Sequence, residues 1–356
     1  MTNVATLAAL LALHASAPAG MPGSASATVI GPRALPPGRD CTMPIAGSLV
    51  SGVRTAAYLQ VCSRVAEGHP TTLVVADVPD TRVRRTSYQL SVLRPHLLSV
   101  DGKHVRWLQM GPPSSLLSDR IELAEFDLET GRISVLDEVR LPFKGSVVGI
   151  ARGDGCWLGR VRGGPDATRR TALVLVSSGR LQQIPTSDGE HALFWDAASA
   201  GFVLGRGPDQ TARAVDSVGR SVPVSRGATT LLAMRKHLLD RYWSLPEARA
   251  VAIDPLGDDA EQPARLMQAA GDPRNPGEYE ARGTFPRIHA VADDSSGSRM
   301  AVVTTRSVEV ISSQGERRSF DISDATGWNT QIEFLKDRPV LIVLDDRRMT
   351  AINVER

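Results

Sequence analysis

The chain has 356 residues, 42% of them hydrophobic, which excludes a disordered polypeptide and allows a large buried core. Lys and Arg number 41 against 39 Asp and Glu, so no overall field draws the chain to nucleic acid or to an anionic membrane. The 31 glycines and 23 prolines are spread along the whole length, which suits many short strands joined by many turns.

The first 32 residues carry no charged side chain. Residues 4–13 form an apolar run of signal-peptide length, followed by small residues with Ala17-Pro18-Ala19 and Ala25-Ser26-Ala27 as cleavage sites. The run is too short to span a bilayer, and no later stretch is long and apolar enough to do so. Residues 1–27 are therefore expected to be an export signal, and 28–356 a single domain. Three cysteines occur, and Cys41, Cys62 and Cys156 fit no zinc spacing and no redox pair. In an oxidising compartment Cys41 and Cys62 are the plausible bridge, leaving Cys156 as a buried thiol beside Trp157.

From about Gly47 a unit of four short β-runs can be read again and again. The first unit takes 48–53, 57–62, 72–78 and 84–93. The second takes 97–100, the turn Asp101-Gly102-Lys103, 104–110, 121–127 and 132–139. Asp-Gly between apolar runs predicts a hairpin whose Gly supplies positive φ. The third unit runs 147–151, 156–161, 172–176 and 180–184, and the fourth 191–195, 201–205, 213–215 and 220–224. The fifth is the least regular: 229–234 and 237–243 read as strands, although 233–242 equally suits a helix, followed by 248–253 and 264–268. The sixth is clear at 288–292, 300–305, 308–311 and 318–322. The last offers 331–335, 340–344 and 349–354 and then ends one strand short.

The turn after the third strand repeats: Gly131, Gly179, Gly219, Gly257 and Gly315 close it, and Arg132, Arg180 and Arg220 follow directly. A shared turn at intervals of about 40–50 residues marks a repeat array. The pattern resembles WD40-like and TolB-type β-propeller repeats, with an Asp-Gly turn before the second strand and an Asp…Gly turn after the third. The resemblance covers residues 47–356, and no Gly-His…Trp-Asp signature narrows it to one family. It implies an all-β propeller of seven four-stranded blades, with six as the alternative. Because an open sheet edge invites aggregation, the strand missing from the last unit is expected from the N-terminal side, with residues 27–30 pairing beside 349–354.

Few residues announce chemistry. Trp107, Trp157 and Trp243 fall in second strands and are expected to pack between blades. Ser99-Val100-Asp101-Gly102 departs from the sialidase-type Asp box and reads as an ordinary turn. No Gly-x-Ser-x-Gly elbow occurs, and no two histidines stand at metal-ligand spacing. No cofactor and no metal are expected. The candidate binding residues lie in two long loops, 162–170 and 271–285, together with Trp328. They are Asp166, Arg169, Arg170, Arg274, Glu278, Tyr279 and Arg282, expected on one face because both loops read as links opening on the same side. The whole points to a secreted or periplasmic monomer acting as a binding scaffold for another protein or a small ligand, TolB-like resemblance implying a protein partner in the cell envelope. The alternative is a propeller hydrolase or lyase with its site at the mouth of a central channel.

Overall fold

The computed structural model describes residues 43–61, 71–90, 92, 94–112, 116–165, 170–187, 189–196, 198–206, 213–226, 228–229, 242–244, 250–255, 263–269, 279–294, 296–322, 330–345 and 348–355. The expected export signal, Cys41, Cys62 and the 27–30 strand lie outside them.

The described chain is built from antiparallel strands taken in sequence order. The first sheet holds β1 (Met43–Pro44), β2 (Val50–Ser51), β3 (Thr55–Val61), β4 (Thr72–Asp77) and β5 (Arg84–Gln89), with β1 and β2 both pairing β3. Residues 72–76 of β4 are buried, because the strand is covered on both faces. Outermost β5 exposes Arg84, Arg85 and Thr86.

The second sheet departs from expectation. It is seven-stranded: β6 (His96–Val100), β7 (His104–Gly111), β8 (Ser118–Asp127), β9 (Ile133–Arg152), β10 (Cys156–Gly163), β11 (Thr171–Ser177) and β12 (Arg180–Ile184). The runs 132–139 and 147–151, read as strands of two separate units, are one twenty-residue strand, β9. Its first half pairs β8 and its second half pairs β10, so it is the outer strand of one unit and the inner strand of the next. Pro142 falls between these engagements, where no ladder partner needs its missing N–H. Gly145 touches both, opposite Ser118 on one side and Gly163 on the other. A Cβ there would stand 2.5 Å from the Arg162 carbonyl oxygen, so only glycine fits.

Four smaller sheets follow. The third is β13 (His191–Asp196), β14 (Gly201–Gly205), β15 (Arg213–Asp216) and β16 (Ser221–Val222). The fourth is β17 (Tyr242–Ser244), β18 (Ala250–Pro255), β19 (Ala264–Ala269) and β20 (Tyr279–Phe285). The fifth is β21 (Ala290–Asp293), β22 (Arg299–Val303), β23 (Ser307–Ser312) and β24 (Arg317–Asp321). The last has three strands among the described residues, β25 (Gln331–Phe334), β26 (Val340–Leu344) and β27 (Met349–Asn353).

The fourth sheet shifts the reading of the fifth unit by one strand, and residues 230–241 of the runs read at 229–234 and 237–243 lie outside the described residues. Residues 242–244 supply its first strand and 264–269 its third, and the segment 279–285, taken for loop, is its outermost strand. Trp243 accordingly sits on a first strand. Gly257, in the link after the second strand β18, lies outside the described residues. The other four turn glycines do adopt positive φ: Gly131 at 68°, Gly179 at 72°, Gly219 at 83° and Gly315 at 86°. The Asp101 turn works differently, since Gly102 is not among the positive-φ residues. There the Asp101 carboxylate accepts the N–H groups of Lys103 and His104 at 2.9 and 2.8 Å and closes the turn itself.

Apolar faces join neighbouring sheets. Leu59, Leu73 and Val75 of the first sheet meet Val105, Trp107 and Phe126 of the second. The two halves of the second sheet face each other through Leu108, Ile121, Leu141, Val161 and Val174, with Trp157 packed alongside. Its far half meets the third sheet at Leu158, Leu175, Trp195 and Phe202. The fourth sheet shares a core with the fifth, and the fifth with the last. Tyr58, Val74 and Ala76 of the first sheet pack with Val340, Ile342 and Leu344 of the last. Full burial of each such Val, Leu or Ile contributes roughly 1.5–3 kcal/mol before chain entropy is counted.

Candidate functional site

The opening strands of the units lie next to one another along an inner circuit. β2 adjoins both β6 and β25, β9 adjoins β6 and β13, β13 adjoins β17, and β21 adjoins β25. Side chains on these strands are the ones that can converge at an axis, and one group does. Arg152, the last residue of β9, reaches Glu333 on β25, its Nη1 donating to Oε1 and Oε2 at 2.9 and 3.0 Å. Its Nη2 donates to the Leu49 carbonyl at 2.6 Å. Leu49 belongs to the first sheet, Glu333 to the last and Arg152 to the second half of the second, so the guanidinium joins three sheets along the inner circuit. Side-chain exposures of 25% for Arg152 and 22% for Glu333 leave the pair within reach of water.

Gln331, two residues before Glu333 and on the same face of β25, extends the contact. Its Oε1 accepts the Leu49 N–H and its Nε2 donates to the Ile45 carbonyl, both at 3.0 Å. Ser51 donates its hydroxyl to the Phe334 carbonyl at 2.6 Å. Both backbone groups of Leu49 are therefore engaged by side chains from other sheets.

The histidines on inner strands are held by backbone. His96 Nε2 lies 3.0 Å from the Val147 carbonyl, and burial lowers the pKa of the ring. His191 Nδ1 lies 3.1 Å from the Gly189 carbonyl. Beside the third sheet, Glu190 accepts a forked pair of bonds from Arg213 at 2.9 and 2.8 Å. That guanidinium holds the Glu190 carboxyl below the usual range against the opposing effect of burial, helped by the Ser187 N–H and the Thr186 hydroxyl. Cys156 is a free, buried thiol. Burial, reinforced by the Asp154 and Asp216 carboxylates, pushes its pKa up to about 12, which removes it as a nucleophile near neutral pH. Among the described residues no three His, Cys, Asp or Glu side chains are grouped to hold a metal ion. No helix among them is long and apolar enough to cross a membrane.

Most residues expected to bind lie outside the described ones: Asp166, Arg169, Arg274, Glu278 and Trp328, as do Cys41 and Cys62. Arg170 is exposed and precedes β11, its carbonyl accepting the Gly163 N–H at 2.9 Å. Tyr279 opens β20, and Arg282 lies within that strand, its carbonyl accepting from Arg317 at 2.6 Å. The two loops do not open on one side. Residues 164–170 join the second to the third strand of their unit, whereas 270–278 join the third to the fourth. In a set of antiparallel strands those links leave opposite ends. The error followed from reading β20 as part of a link between units. Arg152, Glu333, Gln331 and Leu49 were not foreseen at all, since each sits in or beside an ordinary strand and only the packing of distant sheets brings them together.

No known family matches the sequence, and no curated protein does. Solved structures do. Oligogalacturonate lyase in complex with manganese aligns with a TM-score of 0.53 and 11% identity over 92% of this chain and 94% of that one. The propeller domain of the Trilobed protease from Pyrococcus furiosus, described as having an open velcro topology, aligns at 0.50 and 10% identity over 88% and 96%. An acylaminoacyl peptidase bound to a chloromethyl ketone aligns at 0.52 and 9% identity over 85% of this chain and 49% of the peptidase. Identities this low carry the architecture and nothing of the chemistry. By its antiparallel sheets, the cores between them and these likenesses, the chain is a β-propeller of no identified family.

Proposed function

We propose that the protein is an exported, monomeric propeller of seven four-stranded blades that serves as a binding scaffold for another protein or a small ligand, in the cell envelope or outside the cell. Residues 1–27 are its export signal and 28–356 its single domain. The two halves of the second sheet count as two blades sharing β9, and the fourth strand of the last blade comes from the N-terminal segment.

One observation supports a scaffold more than an enzyme: the charged side chains that converge on the inner circuit are engaged by one another and by backbone. Arg152, Glu333 and Gln331 hold sheets together, and a general acid or base needs a group in reach of substrate with a pKa near the working pH. The binding face is the one where second strands pass to third strands and one blade passes to the next. Asp166, Arg169 and Arg170 belong to it, as does Trp328 in the link between the fifth and last sheets. Arg274, Glu278 and Tyr279 belong to the opposite face, and Arg282 to the wall of an outer strand.

The test is binding after chemical cross-linking in an envelope fraction. A partner recovered with the intact protein and titrated against it should bind at least tenfold more weakly to a triple variant with Arg169, Arg170 and Trp328 changed to Ala. Glu278→Ala should leave affinity unchanged. Turnover of a polysaccharide or peptide substrate that disappears in Glu333→Gln would overturn the scaffold reading.

A further inference from the structure

The seam between the first and last sheets differs from an ordinary apolar seam in how many polar contacts cross it. Its middle is hydrophobic, with Tyr58, Val74, Ile342 and Leu344 in one core. At its outer end Arg338 donates to the carbonyls of Val78 and Pro79, each at 2.7 Å. At its inner end the Lys336 N–H donates to the Gly52 carbonyl at 3.0 Å, Ser51 bonds the Phe334 carbonyl, and Gln331 holds Ile45 and Leu49.

Arg152 contributes something that no group of these two sheets can. It comes from the second half of the second sheet, yet it binds one group on each side of the seam, the Glu333 carboxylate and the Leu49 carbonyl. A planar guanidinium has donors enough to hold both at once in a fixed geometry, which an ammonium on a flexible stem does not. We propose that Arg152 is a clasp across the axis of the propeller, tying the first and last sheets together from the inside. The seam then stays shut at its inner end independently of any strand added at the outer edge of β27.

The position of the clasp fits this role. In a ring of sheets, spreading at one seam lets the inner strands separate there, and a crosslink from a unit on neither side of the seam opposes that motion directly. The bonded residues are also short of alternatives: the Leu49 carbonyl belongs to the segment between β1 and β2, and its N–H is already given to Gln331.

The experiment reads amide hydrogen exchange in the full chain. The Leu49 amide, which donates to Gln331, and the Lys336 amide, which donates to Gly52, report the seam, and the Leu173 amide in β11 reports the rest of the fold. In Arg152→Ala both seam amides should exchange at least tenfold faster while Leu173 keeps its rate. Arg152→Lys, which preserves the charge, should lie between Arg152→Ala and the wild type. The double variant Arg152→Ala with Glu333→Ala should exchange no faster than Arg152→Ala alone. Unchanged seam amides in both Arg152 variants, or equal acceleration at Leu173, would overturn the clasp. Deleting residues 28–33 separates this inference from the N-terminal strand: acceleration there, with the Arg152 variants silent, would place closure at the outer edge and reject the clasp.

Discussion

Single side chains in this fold act mainly by answering backbone groups that the strands leave over. Asp127 accepts the N–H groups of Glu129 and Thr130 at 2.8 Å each, and Asp216 those of Val218 and Arg220 at 3.0 and 2.8 Å. The Asp…Gly turns visible in the sequence therefore have a physical cause, a carboxylate capping the turn and a glycine taking the left-handed position. Two titratable residues should appear in the acid stability profile. Burial lowers the His96 pKa below its ordinary 6.5, the Val147 bond offsetting part of the effect. The unfolded ring thus charges first as pH falls, so stability drops below about pH 6.5 until the folded ring also titrates. Glu190 is held below its ordinary 4.5, foremost by Arg213. Its contribution is complete above that value and is lost as pH falls through the folded pKa. Urea midpoints measured from pH 8 to pH 3 should show both declines in the wild type. His96→Gln should lack the first, and Glu190→Gln the second while costing roughly 1–3 kcal/mol at pH 7. Profiles parallel to the wild type in both variants would refute these assignments.

Among the elements, β9 shows how two blades become one sheet. Its midpoint must let go of β8, turn and take up β10, and Gly145 is the residue where the two ladders meet. The obstacle to a side chain there is a carbonyl oxygen of the neighbouring strand, which cannot rotate away. Gly145→Ala should lose roughly 1–3 kcal/mol, the usual cost of forcing a methyl into a filled site. Gly149, four residues on in the same strand, has open space where a Cβ would stand, so Gly149→Ala is the matched control and should stay close to neutral. Urea unfolding of the two variants side by side checks the difference, and equal midpoints would contradict it. The sequence made the inner and middle strands legible because they are covered on both faces and read as unbroken apolar runs, as in residues 72–76 and 340–344. One outermost strand was harder. β20 reads Tyr-Glu-Ala-Arg-Gly-Thr-Phe, with exposed Ala281 and Thr284 and no apolar run, and so passed for a loop. That one loss moved the whole unit by a strand and put one candidate loop, 271–285, on the wrong side. The Leu-Pro-Phe-Lys-Gly stretch inside β9 carries the proline and glycine that ordinarily punctuate structure, and only the pairing on either side reveals that the strand is continuous.

For the whole molecule the question is how a row of sheets becomes a ring. The first and last sheets share a buried core, yet the last has three strands among the described residues. Its outer strand, β27, pairs β26 along all five of its residues, and Met349 and Val354 each enter a core on a different side of the sheet. Removing residues 348–356 should therefore be severe, stripping a strand and two buried side chains together. On the proposed closure, the Ala27-Thr28-Val29-Ile30 segment pairs with the edge of β27 away from β26, where each backbone hydrogen bond contributes about 1 kcal/mol net. Nine residues, 34–42, separate the first strand of the first sheet from residue 33, and an extended chain covers roughly 3.3 Å per residue, enough to pass along one sheet. Deleting residues 28–33 from the mature protein should lower the melting temperature and promote association through the uncovered edge. The two deletions should differ in degree and agree in kind, as seen by calorimetry and by light scattering on heating. If deletion of 28–33 leaves both melting and association unchanged while deletion of 348–356 unfolds the protein, the N-terminal segment is not the closing strand. The ring would then rest on the apolar seam and the polar contacts at its inner end.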